Sequence, residues 1–387
     1  MATLIKSRVT SIDLLKGIVM VMMALDHTRD YFYQSSTLSG VTDPAHATWA
    51  VYLTRWVTHL CAPTFSFLAG ISAYLSGKRK TKAELSGFLV KRGLWLVLME
   101  LTIINYAWYL NVWYNNIDLA VIWVLGISML FLAGFVYLPR NVILLISCVL
   151  IFGHNLLDNV HFERSLGWSI LHEFSSFQIS DTRTINVVYP ILPWIAVMAL
   201  GYCFGRLYDQ DIQSDSRKKL FSSLGLAAVT LFVFIRWANS YGDPAPWVRF
   251  ETTGQTLMSF FNVTKYPPSL LYLLVTLSCA FLFMANSEKW SGKAVDFFIV
   301  FGRVPFFYYI LHLYTIRLLS MVVAGLTGHG WDLMVQTTFD VDLKTFGFNL
   351  GVVYLIWIGI ILALYPVCKK FDRYKQSHRE KWWLSYL

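Results

Sequence analysis

Ser11-Ile-Asp-Leu-Leu-Lys-Gly-Ile-Val-Met-Val-Met-Met-Ala-Leu-Asp-His-Thr-Arg-Asp-Tyr31 reads as a hydrophobic helix that ends in a knot of ionisable residues, Asp26, His27, Arg29 and Asp30. A helix that only spans a bilayer has no use for them. Placing charge near hydrocarbon costs about 2.5–3.5 kcal/mol per residue on insertion scales. Such residues mark a working site by default.

Working outward, the composition is that of a membrane protein. Apolar residues make up 56% of the 387 and charged residues 14%, against roughly 25% charged in an average soluble domain. Apolar runs long enough to cross a ~30 Å hydrocarbon core fall near 12–32, 52–76, 93–111, 117–138, 141–157, 190–208, 219–238, 269–286, 296–325 and 346–367. The expectation is an all-α polytopic integral membrane protein of about ten transmembrane helices, folded as one domain over 1–387. The ninth run carries Gly302, Arg303 and Pro305 near its start, which suits an interfacial opening piece. The first run has no small-residue cleavage site before its polar end and reads as a retained span.

Lys and Arg concentrate in alternate connections: Lys6 and Arg8, 78–92, Arg140, 217–219, Lys289 and Lys293, and 369–381. The positive-inside bias makes these cytoplasmic, with both termini. The same clustering accounts for the net charge of +9 without nucleic acid. The opposite connections hold the long loops and the clusters Tyr189-Pro190, Tyr241-Gly242-Asp243-Pro244 and Lys265-Tyr266-Pro267-Pro268. Cys61, Cys148, Cys203, Cys279 and Cys368 stand singly, with no spacing for a metal or a disulfide framework.

At 1.5 Å per residue, His27 lies roughly 22 Å from the cytoplasmic surface, His312 roughly 24 Å from it, and His59 roughly 10 Å below the outer one. Three histidines from three runs thus share one layer. A lone membrane histidine is often a packing residue, but three converging with carboxylates suit general-base chemistry. Asp26 and Asp30 stand ready to orient an imidazole, and which aspartate serves which histidine stays open. Arg55 lies one turn from His59 on the same helical face. Glu100 and Arg303, nearer the cytoplasm by the same arithmetic, read either as a helix-to-helix ion pair or as steps on a path to the histidine layer.

Ser11-Ile-Asp-Leu-Leu-Lys-Gly-Ile18, with His27 fourteen residues after Asp13, resembles the first span of membrane acyltransferases that O-acetylate cell-wall and surface sugars, where the matching histidine is catalytic. A closer resemblance runs along nearly the whole chain, to bacterial relatives of heparan-α-glucosaminide N-acetyltransferase. It is carried by Leu25-Asp26-His27-Thr28-Arg29-Asp30, Thr54-Arg55-Trp56-Val57-Thr58-His59-Leu60-Cys61-Ala62-Pro63, Lys91-Arg92-Gly93-Leu94-Trp95, His154-Asn155-Leu156-Leu157-Asp158, Tyr189-Pro190-Ile191-Leu192-Pro193-Trp194, Lys265-Tyr266-Pro267-Pro268-Ser269 and Phe301-Gly302-Arg303-Val304-Pro305. His46-Ala47-Thr48-Trp49 is similar to a His-x-Ser-Trp around that family's loop histidine, and His27 stands where the family's first span carries an Asn.

The resemblance implies transfer of an acetyl or other short acyl group from cytoplasmic acetyl-CoA to a sugar amine or hydroxyl outside. His27, Asp26, His59 and His312 are the expected catalytic set, acting either by general-base chemistry in a direct transfer or through a covalent acyl-histidine step. Arg29, Asp30, His46, Arg55, Asp158, Asp243 and Lys265 are expected to hold the sugar or glycan acceptor. Arg92, Glu100, Arg206 and Arg303 are expected along the acyl-CoA path, with Lys78, Arg79 and Lys91 at its rim. Acetyl-CoA enters as donor, no metal is expected, and the setting is the bilayer of a bacterial inner membrane, with a homodimer as the assembly. Two other classes compete. A transporter or flippase would also place charges in broken helices, and a haem-binding electron carrier would use two facing histidines as axial ligands.

Overall fold

The computed structural model describes residues 9–34, 42–336 and 346–387. Lys6 and Arg8, two of the expected cytoplasmic charges, lie outside the described residues. Helix α1 (Thr10–Phe32) is followed by α2 (Trp49–Thr58) and α3 (Cys61–Gly77), separated by a turn at His59-Leu60. A capping box of Thr81 and Glu84 opens α4 (Lys82–Met99), which runs through a π-helical turn, Glu100–Ile104, into α5 (Asn105–Tyr109). Strand β1 (Asn116–Leu119) precedes α6 (Val121–Phe135), α7 (Arg140–Gly153) and α8 (Leu166–Leu171). A hairpin of β2 (Ser175–Ser180) and β3 (Arg183–Val187) leads to α9 (Leu192–Phe204), α10 (Ser214–Ala238) and α11 (Thr253–Phe261). The chain closes with α12 (Leu270–Ser287), α13 (Lys293–Arg303), α14 (Pro305–Leu326), α15 (Leu333–Gln336) and α16 (Leu350–Ser377).

The molecule is mostly helical, and the all-α expectation needs one correction. A three-stranded sheet in the order β1-β3-β2 joins two long loops, β1 parallel and β2 antiparallel to β3. These strands are four to six residues long, and a search for runs of about 17–25 apolar residues passes over them.

Among the described residues six helical stretches are long and apolar enough to cross a membrane: Trp49–Gly77, Arg140–Leu157, α10, α12, α14 and α16. The stretches Val121–Phe135 and Leu192–Tyr208 are apolar but shorter. Lipid-type exposure is plain on α10 and α16, where Trp237 is 70% and Leu355 71% exposed. Helix α1 is the opposite case. It is buried along nearly its whole length, Asp26 and Arg29 included, because it packs among α3, α13, α14 and α16. Its charges face neighbouring helices rather than lipid, so it reads as too polar for a span while occupying the centre.

Two expected runs are broken. The second, 52–76, is interrupted by a short turn at His59-Leu60 between α2 and α3, both residues keeping helical backbone angles within the one apolar stretch Trp49–Gly77. The ninth breaks at Val304, where Pro305 opens α14; proline lacks the N–H that would continue α13. The third run, expected from 93, is helical from Lys82, so Glu100 lies about 27 Å along it at 1.5 Å per residue. It therefore sits at the far end from the basic first turns, not near them.

Gly17 and Gly302 fix the crossing of α1 and α13. A Cβ on Gly17 would lie 1.8 Å from the Phe298 carbonyl oxygen, and one on Gly302 1.8 Å from that of Asp13. Small residues at helix crossings let backbones approach where lipid supplies no hydrophobic drive.

Candidate active site

The last turns of α1 carry His27 towards α14, where Pro305 sets the helix start and places His312 two turns in. His27 Nδ1 and His312 Nε2 are 2.8 Å apart, with the rings nearly parallel at 6°. On its other side, His312 Nδ1 lies 2.8 Å from the Tyr308 carbonyl oxygen. A carbonyl only accepts, so His312 Nδ1 carries the hydrogen and, in the neutral ring, Nε2 offers a lone pair. His27 Nδ1–H must then donate to it. That assigns the lone pair of neutral His27 to Nε2, which bonds to none of the described residues. The ring stands edge-on to Trp108, 4.9 Å between centroids, with Tyr309 6.2 Å away. The arrangement is an oriented base in an aromatic box, with a histidine as the orienting group.

Asp26, one of the two aspartates expected to orient an imidazole, makes no hydrogen bond to His27 and is held by arginines instead. Its carboxylate accepts from Arg55 Nη1 at 2.7 and 2.6 Å and from Arg29 Nη2 at 2.6 Å, with the Thr58 hydroxyl 3.0 Å away. Arg29 also donates to Asp30 at 2.8 Å, so Asp30 is likewise engaged by an arginine. Lys265 Nζ reaches Asp26 at 3.9 Å. His59 follows Thr58 in the turn between α2 and α3, its carbonyl accepts from the Tyr272 hydroxyl at 2.9 Å, and its buried Nδ1 has no partner among the described residues. The ionic network thus ties α1 to α2 and to the 262–269 loop beside the dyad, and brings together Asp26, His27, Arg29, Asp30, Arg55, His59, Lys265 and His312.

The remaining expected residues sit elsewhere. His46 is exposed and pairs with Asp43 at 2.5 Å, and this bond holds the Asp43 carboxyl below its ordinary range. Asp158 accepts from Asn155 at 2.8 Å and pairs with His172 at 3.1 Å. Asp243 accepts from the N–H and hydroxyl of Thr264, at 2.9 and 2.7 Å, and from the Ser269 hydroxyl at 2.7 Å; its oxygens pin the loop. Arg206 pairs with Asp209 and Asp211, and Arg303 bridges Asp13 at 3.7 Å and Asp372 at 3.5 Å. Glu100 makes no pair with Arg303: its Oε2 accepts from the N–H groups of Ile122 and Trp123 at 2.7 and 2.8 Å. There it caps the first turn of α6, where a carboxylate is favoured by the helix dipole.

Two cavities lie at the basic end of the helices, and the narrower one runs towards the dyad as far as Tyr309. One of about 190 Å³ passes from Lys16, Ser76 and Arg92 to Pro305 and Tyr309. Tyr309 is the residue whose ring lies 5.5 Å from His312. A second, about 890 Å³, is lined by Lys91, Lys375, Arg379, Lys381, Trp382 and Tyr386, and Phe88 lines both. Sequence reasoning missed the last five of these, since their basic members satisfy the positive-inside count alone. It also missed Trp108, Tyr308 and Tyr309, although the four-residue step from Tyr308 to His312 is the spacing at which a side chain meets a carbonyl one turn back.

Residues 8–238 match the family model described as heparan-alpha-glucosaminide N-acetyltransferase, catalytic. The chain belongs to this family. It is therefore an integral membrane protein of an acetyltransferase family, as the apolar helices also require. The matched region holds Asp26, His27, Arg55, His59, Arg92 and Glu100; Lys265, Arg303 and His312 lie beyond it. A search of curated proteins gives no match.

Proposed function

We propose that the protein moves an acetyl or other short acyl group from acyl-CoA on the cytoplasmic side to an amine or hydroxyl of a sugar or glycan on the other. The observation that carries this is the hydrogen bond between His27 and His312, which leaves His27 Nε2 as a base with no partner among the described residues. That nitrogen takes the acceptor's proton as the acceptor attacks the thioester carbonyl. The bond from acceptor to acyl carbon forms, the carbon–sulfur bond breaks, and the proton passes to the departing thiolate. His312 accepts from Nδ1–H throughout and holds the ring in place.

The cavities fit the donor. The larger cleft offers Lys91, Lys375, Arg379 and Lys381 to phosphates, and Trp382 and Tyr386 to a nucleobase. The narrower one suits a pantetheine arm. Lys16 and His27 are eleven residues apart on α1, roughly 16 Å at the helical rise, a distance such an arm spans. Ten spans follow when α1, α2–α3, α4–α5, α6, α7, α9, α10, α12, α13–α14 and α16 are each counted once. Both termini are then cytoplasmic and the long loops face outward, where the acceptor enters.

The two broken helices favour a transporter as the second reading. A haem carrier fits poorly, since an iron between His27 and His312 needs their nitrogens about 4 Å apart, twice a metal–nitrogen bond of ~2.0 Å. The test is to give purified protein radiolabelled acetyl-CoA and a panel of amino sugars and other sugars. Transfer that is lost in His27→Ala supports the proposal. Absence of CoA binding, or turnover unchanged in both His27→Ala and His59→Ala, overturns it.

A further inference from the structure

The ionic network beside the dyad does not balance. Arg29, Arg55 and Lys265 face only Asp26 and Asp30 through its ion pairs. The two arginines already hold Asp26 at hydrogen-bond distance, which makes Lys265 the surplus cation. Its ammonium contacts the Asp26 carboxylate at 3.9 Å and the Tyr266 ring centroid at 5.1 Å, and donates no hydrogen bond to any described residue. A buried ammonium with three unused donors is costly. The chain nevertheless fixes it there: Asp243 grips Thr264 on one side of Lys265 and Ser269 on the other. Lys265, Asp26 and His27 keep 8–9% exposure while Arg29 keeps 1%, and Asp26, which the lysine contacts at 3.9 Å, is the chain neighbour of His27.

We propose that Lys265 is a catalytic residue whose ammonium stabilises the negative charge arising on the thioester carbonyl oxygen during transfer. This rests on the transfer reaction proposed above. As the acceptor nitrogen or oxygen bonds to the acyl carbon, the carbonyl π pair moves to oxygen, and the acceptor proton goes to His27 Nε2. Collapse returns the pair, expels the thiolate and hands it that proton. A cation fixed in a water-poor crevice before the charge appears needs no reorganisation when it does. Among the described residues the ground state holds no matching anion, which is what the uneven network shows.

The experiment compares wild type, Lys265→Met and Lys265→Arg as full-length reconstituted protein, with acetyl-CoA and both a neutral and a carboxylate-bearing amino sugar. Lys265→Met is expected to lower kcat about 10²- to 10³-fold, the loss seen when one oxyanion donor is removed. Both KM values should stay within about threefold, and Lys265→Arg should recover part of kcat. Because the surplus cation is gone, the unfolding temperature of Lys265→Met should hold or rise, which a merely structural lysine would not allow. An unchanged kcat, a fall in unfolding temperature matching the loss of activity, or a loss confined to KM for the carboxylate-bearing acceptor overturns the role; the last makes Lys265 an acceptor-binding cation. No transfer by wild type overturns the reaction itself.

Discussion

His312→Ala separates an oriented base from a histidine that is merely near. The substitution removes the 2.8 Å hydrogen bond that holds the proton on His27 Nδ1, and with it the bond from His312 to Tyr308. A positioned general base contributes about 10²- to 10⁴-fold in rate, or about 2.7–5.5 kcal/mol at 1.36 kcal/mol per decade. Loss of the orienting partner of a catalytic histidine has cost about 10⁴ in another enzyme. With burial still confining the ring, kcat for acetyl transfer should fall about 10²- to 10³-fold here, with KM little changed. His312→Gln keeps an oxygen that accepts from Nδ1–H and should recover about tenfold. The assay is steady-state transfer from labelled acetyl-CoA by His27→Ala, His312→Ala and the double variant. Residues acting as one unit are strongly non-additive, so the double variant should match His27→Ala within about twofold. Additive losses would refute the shared role of the two rings.

The other predictions concern the supports of the site. Asp26→Asn leaves Arg29, Arg55 and Lys265 facing one carboxylate; breaking a buried pair costs about 3–5 kcal/mol, so the unfolding temperature should drop, and adding Lys265→Met should recover part of it. Gly302→Val drives a side chain into the Asp13 carbonyl and should abolish monodisperse protein in detergent chromatography. Charge removal in Lys375→Ala/Arg379→Ala should raise KM for acetyl-CoA about tenfold or more at low salt, less at high salt, with kcat nearly unchanged. His46→Ala removes an exposed pair and should move the unfolding temperature by less than about 1 °C at pH 7. The lowered Asp43 carboxyl contributes only above its ordinary range and loses that contribution as pH falls through its depressed value. Loss of acetyl transfer at constant unfolding temperature would place His46 in the acceptor site.

The membrane class and the layer holding His27 and His312 were legible because helix rise converts residue number into depth. The partners were not. Depth says nothing about rotation around a helix axis, and adjacent residues point about 100° apart on a helix, so which aspartate serves which histidine stayed open and the arginine partners of Asp26 went unseen. The arginines that claim Asp26 come from its own helix at i+3 and from α2. Glu100 was misplaced because α4 begins eleven residues before the apolar run does, its basic first turns hiding the start. Lys265 was legible as a residue type in a loop motif, while its role depends on a charge count that only the assembled network provides.

The central claim is that an acyl group crosses from CoA to a sugar at His27. Proteoliposomes with acetyl-CoA labelled in the acyl group on the side of the chain termini, and an amino sugar confined to the other side, test it most directly. The expected result is labelled, acetylated sugar on the far side with wild type and none with His27→Ala. Sugar or acetyl-CoA that crosses unaltered, at equal rates in both proteins, would contradict it.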